Sequence, residues 1–151
     1  MFLADLITPP RIRLPVEAQD KPGALRELAH LLAEQCGGGV EDIIQGVEER
    51  ERSLGTGIGF GVAIPHGKSP TMRELGAVCG VTATPIAWDS VDGEPVRLLF
   101  LLAGPESSAG THVKVLSRIA RLVRREAVRQ RLLQATSPEE LHRAIRESET
   151  W

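Results

Sequence analysis

A histidine placed just after a run of glycines is the feature of this sequence best suited to chemistry. In GTGIGFGVAIPHGK, residues 55–68, glycines stand at 55, 57, 59 and 61, and Pro65 leads into His66 and Gly67. A free imidazole, with an ordinary pKa of about 6.5, is mostly unprotonated near neutral pH and is then a competent nucleophile. Phosphate-cradling loops need other spacings. A Walker loop has four residues between its first glycine and Gly-Lys-Ser/Thr; counting back from Gly67-Lys68-Ser69 reaches Val62, and Gly61 is one residue too far. The dinucleotide fingerprint GxGxxG also fails, because its third glycine falls on Phe60, Val62 or Ile64. The run therefore reads as a loop that uses positive φ or close backbone approach. It leads into a short strand over Gly61–Ile64 that stops at Pro65 and presents His66 at a sheet edge. Gly67 is expected to leave the imidazole uncrowded and open to a partner's backbone.

The surrounding chain supplies elements to hold that histidine. Ile12–Val16 reads as a strand. Asp20 caps a helix entered through Pro22, with Leu25, Leu28, Ala29 and Leu32 at helical spacing and an end at Cys36 before three glycines. A second helix covers Val40 to Arg52, with Val40, Ile43, Ile44 and Val47 on one face and a charged end from Glu48 to Arg52. Leu75–Thr82 and Val96–Ala103 are apolar and rich in β-formers, so they read as buried strands, with a turn at Asp92-Gly93 between them. From Thr111 the chain is helical, with Val115, Leu116, Ile119, Leu122 and Val123 in one stripe. Ser137-Pro-Glu-Glu140 is a capping box that starts the last helix. Strands interleaved with helices, and apolar on both faces, predict an α/β three-layer sandwich: one domain over 1–151, a mixed β-sheet, helices on both faces.

Composition narrows the function. The net charge is −2 and the chain has no tyrosine, so neither long-range attraction to polyanions nor stacking platforms favour nucleic acid. No apolar run approaches the roughly 20 residues of a membrane helix, and the N-terminus is broken by Asp5 and Pro9-Pro10, unlike a secretory signal. A cytoplasmic protein without direct membrane insertion is expected. Cys36 and Cys79 are far apart and read as buried reduced thiols, with no metal-type spacing. His30 and His142 receive no role, Trp88 and Trp151 read as packing and tail residues, and Lys68 as a charge facing a partner.

RERSLGTGIGFGVAIPHGK, Arg50 to Lys68, resembles the phosphorylation-site signature of enzyme IIA of the bacterial phosphoenolpyruvate-dependent phosphotransferase system, fructose/mannitol type, a group that includes a nitrogen-regulatory paralogue. The matching pieces are Arg50-Glu51, Thr56 to Gly59 and Ala63 to His66. Downstream, PIAWDSVDGEPVRLLFLLAGPESSAGTHVKVLSRIARLV is similar to the family's second half, in which a second histidine, here His112, sits beside the first. Phe60 departs from relatives that often carry a small polar residue. The resemblance implies a relay from the phosphohistidine of an HPr-type carrier to His66, and on to enzyme IIB or to a regulatory target.

Such a transfer proceeds through a loose transition state whose charge lies on three equatorial oxygens, so the protein contributes preorganised donors. His66 is then the phospho-acceptor, His112 orients or stabilises the phosphoryl group, and Arg50, expected to be exposed, neutralises its charge. Thr56 and the backbone of Gly57, Gly59 and Gly61 are further phosphate-binding candidates. No metal and no cofactor are required. The chain carries no fused IIB or membrane IIC segment, so action in trans is expected.

Two readings compete. DKPGALRELAHLLAEQCGG, Asp20 to Gly38, resembles the first strand-to-helix turn of ACT domains, small amino-acid-binding regulatory modules. An N-cap, a helix-start proline and an amphipathic face explain that stretch locally. A non-catalytic interaction protein on the same fold is the other, and intact Arg50, His66 and His112 argue against it.

Overall fold

The computed structural model describes residues 2–53 and 55–149; Trp151 lies outside them. Strand β1 (Ile12–Val16) follows a short helix α1 (Leu3–Leu6) and a 3₁₀ turn at Pro9–Arg11. Helix α2 (Lys21–Cys36) begins where the sequence requires, because the Asp20 carboxylate accepts from the Gly23 backbone N–H at 2.8 Å. Gly37, at φ 82°, ends it. Helix α3 (Val40–Ser53) follows, then β2 (Gly57–Gly59), β3 (Val62–Ala63), β4 (His66–Lys68), β5 (Gly76–Ile86) and β6 (Val96–Gly104). Helices α4 (Ala109–Val123), α5 (Glu126–Gln134) and α6 (Pro138–Ser148) complete the order. Ser137 caps α6 by accepting from the Glu140 N–H at 3.1 Å.

The sheet is mixed, in the order β1-β5-β6-β3-β2. β1 pairs parallel with β5, β5 antiparallel with β6, and both β3 and β4 parallel with β6. Val62 lies opposite Leu98 and His66 opposite Leu102. The offset is the same, so β3 and β4 are two pieces of one strand interrupted at Ile64-Pro65. Each face of the sheet buries its own core. One joins Cys79, Phe100 and Leu102 to α1, α4, α5 and α6; the other joins Val78, Leu99 and Leu101 to α2 and α3. Strands such as β6, buried from Leu98 to Gly104, read as continuous apolar runs because both faces are covered. The α/β sandwich with helices on both faces is what the sequence predicts.

Several local expectations change. The glycine run is not a loop: β2 and β3 form an antiparallel hairpin, with Gly59 (φ 94°), Phe60 (φ 59°) and Gly61 (φ 76°) turning its tip. The strand expected over Gly61–Ile64 is shorter, and His66 sits in β4, the second piece of that interrupted strand. β5 runs on to Ile86, and the last helical region starts at Ala109 and divides at Arg124-Arg125. Cys36 is only half-buried, whereas Cys79 is fully buried. Trp88 is 1% exposed, with the Lys21 ammonium 5.1 Å from its ring.

Candidate functional site

His66 is placed by β4 and by the helix that crosses it. At Gly46 a Cβ would stand 2.1 Å from the Lys68 carbonyl oxygen; at Gly67 it would stand 2.4 Å from the Gly46 carbonyl carbon. Only two glycines allow α3 and β4 to touch backbone to backbone. Gly67 therefore serves the contact with α3, and it also lines the cavity beside His66. Arg50 lies one helical turn beyond Gly46, which brings it over the strand end that carries His66.

His66 and His112 meet edge to face, with ring centroids 5.2 Å apart and planes at 66°. With Arg50 they line one cavity of about 540 Å³, whose wall also includes Glu49, Lys68 and Val113. Arg50 is half-buried, against the expected exposure, because the tight α3–β4 contact draws it in. His112, on the first turn of α4, is half-buried too. At the rim, Lys68 Nζ pairs with Glu106 Oε1 at 2.8 Å.

The hydrogen bonds set the imidazole's chemistry. His66 Nδ1 lies 2.8 Å from the Ile64 carbonyl oxygen. A carbonyl only accepts, so Nδ1 carries the proton and Nε2 keeps the lone pair. Burial lowers the His66 pKa below its ordinary value, the Ile64 bond works against that, and the Arg50 charge adds to the lowering. His112 is pushed down to about 4, first by burial, then by His66 and Lys68. Both rings are thus held neutral near pH 7. The Nε2 of His112 is buried and has no hydrogen-bond partner among the described residues. A desolvated nitrogen without a partner is costly to keep unless a ligand satisfies it.

The remaining sequence candidates lie elsewhere. Thr56, Gly57, Gly59 and Gly61 do not line the cavity. The Thr56 hydroxyl donates to Glu51, and its N–H reaches the same carboxylate at 3.3 Å. Glu51 is a residue that sequence reasoning passed over. Its side chain is 5% exposed and pairs with Lys21 at 2.7 Å, tying α2, α3 and the hairpin together. Its position beside Arg50 in a charged run gave no sign of burial. His30 is exposed, and His142 Nε2 bonds the Ala4 carbonyl at 2.8 Å, far from the cavity. Among the described residues no group of three or more His, Cys, Asp or Glu side chains is placed to hold a metal ion. None of their helices is long and apolar enough to cross a membrane.

Comparison with known proteins extends these observations. The family model for the phosphoenolpyruvate-dependent sugar phosphotransferase system, EIIA 2, matches residues 5–148. A nitrogen regulatory protein of Bradyrhizobium diazoefficiens is 38% identical over 132 residues, which is 87% of this chain and 86% of that protein. The fructose-specific EIIABC component of Bacillus subtilis is 32% identical over 91% of this chain but only 22% of its own length. The crystal structure of nitrogen regulatory protein IIA-Ntr from Neisseria meningitidis superposes with a TM-score of 0.88 at 30% identity, covering 95% of this chain and 98% of that one.

Proposed function

The chain belongs to the phosphotransferase-system EIIA 2 family, and we propose that it carries a phosphoryl group on Nε2 of His66, received from an HPr-type carrier. The observation that carries this reading is the imidazole pair, with Nδ1 of His66 fixed on the Ile64 carbonyl.

The step balances without an added acid or base. The lone pair on Nε2 attacks phosphorus as the phosphorus–nitrogen bond to the donor's imidazole breaks. The departing ring, protonated on its other nitrogen, keeps that electron pair and leaves as neutral imidazole. The phosphorylated His66 ring retains its Nδ1 proton, and positive charge developing on it strengthens the bond to Ile64. Arg50 supplies a planar set of donors for the equatorial oxygens, and His112, which lines the same cavity and whose Nε2 has no partner among the described residues, is the candidate for another. Depressed pKa values suit the task twice: His66 stays nucleophilic, and a neutral His112 does not compete with it for protons.

Use as a regulatory signal is the better supported of the family's two roles, because the nitrogen regulatory relative is 38% identical to this chain and the fructose-specific relatives are 32% identical. An enzyme IIB or a regulatory target is the downstream partner on this reading, and the setting is cytoplasmic.

Incubation with phosphoenolpyruvate, enzyme I and an HPr-type carrier, followed by intact-mass analysis, tests it. One acid-labile phosphoryl group is expected on the wild type and none on His66→Ala. Arg50→Ala should fold and accept the group about 10²–10³ times more slowly, the scale of removing one preorganised donor. Phosphorylation of His66→Ala at the wild-type level would sink the proposal.

A further inference from the structure

The segment between β5 and β6, residues 87–95, walls a second cavity of about 540 Å³ that shares no residue with the one around His66. Trp88 sets its chemistry. The ring is 1% exposed, and its buried Nε1 has no hydrogen-bond partner among the described residues. Ser90, in the same wall, keeps a buried hydroxyl in the same condition. Buried donors are almost always paired, so two without partners in one wall call for a ligand.

The cavity is preformed. The Ser90 carbonyl accepts from the Gly93 N–H at 2.9 Å, and the Asp92 carboxylate holds the N–H groups of Glu94 and Phe60 at 3.0 and 2.9 Å. The bond to Phe60 fastens the segment to the glycine hairpin. Gly57 makes room there, because a Cβ at that position would collide with Ser90.

The wall also limits what can enter. An indole N–H only donates, so a ligand must offer an acceptor. Asp89 and Glu94 stand exposed on the wall, and among the described residues no basic side chain joins them. Lys21 lies against the Trp88 ring, but its ammonium pairs with Glu51 at 2.7 Å and it does not line the cavity. Two carboxylates repel an anion and attract a cation. A buried carboxylate or phosphate oxygen is costly where only neutral donors meet it, so the acceptor is a hydroxyl or a carbonyl. The volume falls within the range of small-molecule sites, about 300–1,000 Å³, and admits a molecule of monosaccharide size.

We infer that this cavity binds a small hydroxylated amine of amino-sugar size, with a neutral oxygen accepting from Trp88 Nε1 and the ammonium facing Asp89 and Glu94. The site is separate from the phosphoryl cavity and does not depend on the phosphocarrier reading.

The probe is glucosamine, titrated into the full chain to about 10 mM, which reveals even millimolar binding. The reporter is the indole N–H resonance of Trp88. The chain has two tryptophans, and Trp88→Phe, which keeps an aromatic ring in the core, identifies the signal. Glucosamine should move that resonance saturably. Its affinity by calorimetry should fall about two- to tenfold in Trp88→Phe, the scale of one lost hydrogen bond. In Asp89→Asn/Glu94→Gln it should fall about threefold, the scale of exposed charge pairs. Asparagine suits position 89, where φ is 55°. N-acetylglucosamine, which lacks the ammonium, should bind the wild type more weakly than glucosamine does. Phosphoramidate, a small phosphoryl donor with no protein surface, should modify His66 at one rate in the wild type and the charge variant. An indole resonance that glucosamine leaves unmoved would mean that the cavity holds water only, and would overturn the proposal. Equal glucosamine affinity in the wild type and the charge variant, or a preference for N-acetylglucosamine, would overturn it too, whether or not Trp88→Phe folds. A slower phosphoramidate reaction in a folded charge variant would overturn the separation of the two sites.

Discussion

The cavity around His66 and the glycine hairpin just before it are neighbours in sequence and opposites in construction. In the hairpin, polar groups answer one another: Thr56 is held by Glu51, and the Phe60 N–H is bonded by Asp92 at 2.9 Å. In the cavity, both imidazoles have depressed pKa values and His112 keeps a buried nitrogen without a partner among the described residues. Paired polar groups such as these brace a turn, whereas an unpartnered buried nitrogen on a residue that lines a cavity is open to a ligand. On this contrast the glycine motif braces the fold, and the proposed site is the less conspicuous place where α3, β4 and the first turn of α4 converge.

The sharpest way to break this contrast is Gly67→Ala. A methyl there meets the carbonyl carbon and oxygen of Gly46 at 2.4 and 2.5 Å and the Val47 nitrogen at 2.6 Å, all of them backbone. No rotamer relieves such contacts, so α3 must shift and carry Arg50 with it. Overpacking of this kind costs about 1–3 kcal/mol. Misplacing a catalytic group by an ångström slows a reaction by about 10²-fold. Denaturant melts and phosphoramidate kinetics should show both losses together. Wild-type kinetics in a destabilised protein would mean that α3 does not position the site.

The parts visible in the sequence and the parts hidden from it divide along the same line. Caps and periodic faces are local signals, so α2, α6 and the core strands could be read in advance, as could the sandwich they make. Arg50, His66 and His112 were legible through a family pattern, and the structure brings all three to one cavity. The burial of Glu51 was not legible, because a carboxylate in a charged run looks solvated until Lys21 and Thr56, from elsewhere in the chain, are seen to enclose it. Alternate glycines look like a phosphate loop from composition alone. That they make a hairpin depends on β6 offering an edge to β3, a long-range fact. The role of Gly67 depends likewise on a helix more than a dozen residues upstream.

Acid sharpens the comparison from the side of the cavity. His112 has its pKa lowered from 6.5 to about 4, so the folded protein resists a proton that the unfolded chain accepts. Stability contributed by the neutral ring is present above pH 6.5 and is lost as pH falls toward 4; below that the group adds no further change. His66 is shifted in the same direction. Thermal melts between pH 7 and pH 4.5 should therefore show a shallower decline for His112→Gln than for the wild type. Parallel declines would mean that the ring is not desolvated in the fold.

The smallest effect belongs to the hairpin tip, and it tests the brace most directly. Phe60 stands at φ 59° and is 64% exposed, with the Arg129 guanidinium 4.5 Å from its ring. A left-handed backbone costs a non-glycine residue about 1–2 kcal/mol, and asparagine tolerates it better than phenylalanine. Stacking a guanidinium on an exposed ring returns about 0.5–1 kcal/mol. The two terms oppose each other, so Phe60→Asn should change stability by less than about 1 kcal/mol. The side chain lies outside the cavity wall, and the Phe60 N–H that Asp92 holds survives the substitution. Phosphoramidate should therefore phosphorylate His66 in this variant at the wild-type rate. A large loss of that rate with the fold intact would place the hairpin in the reaction itself, and the division between brace and site would fall.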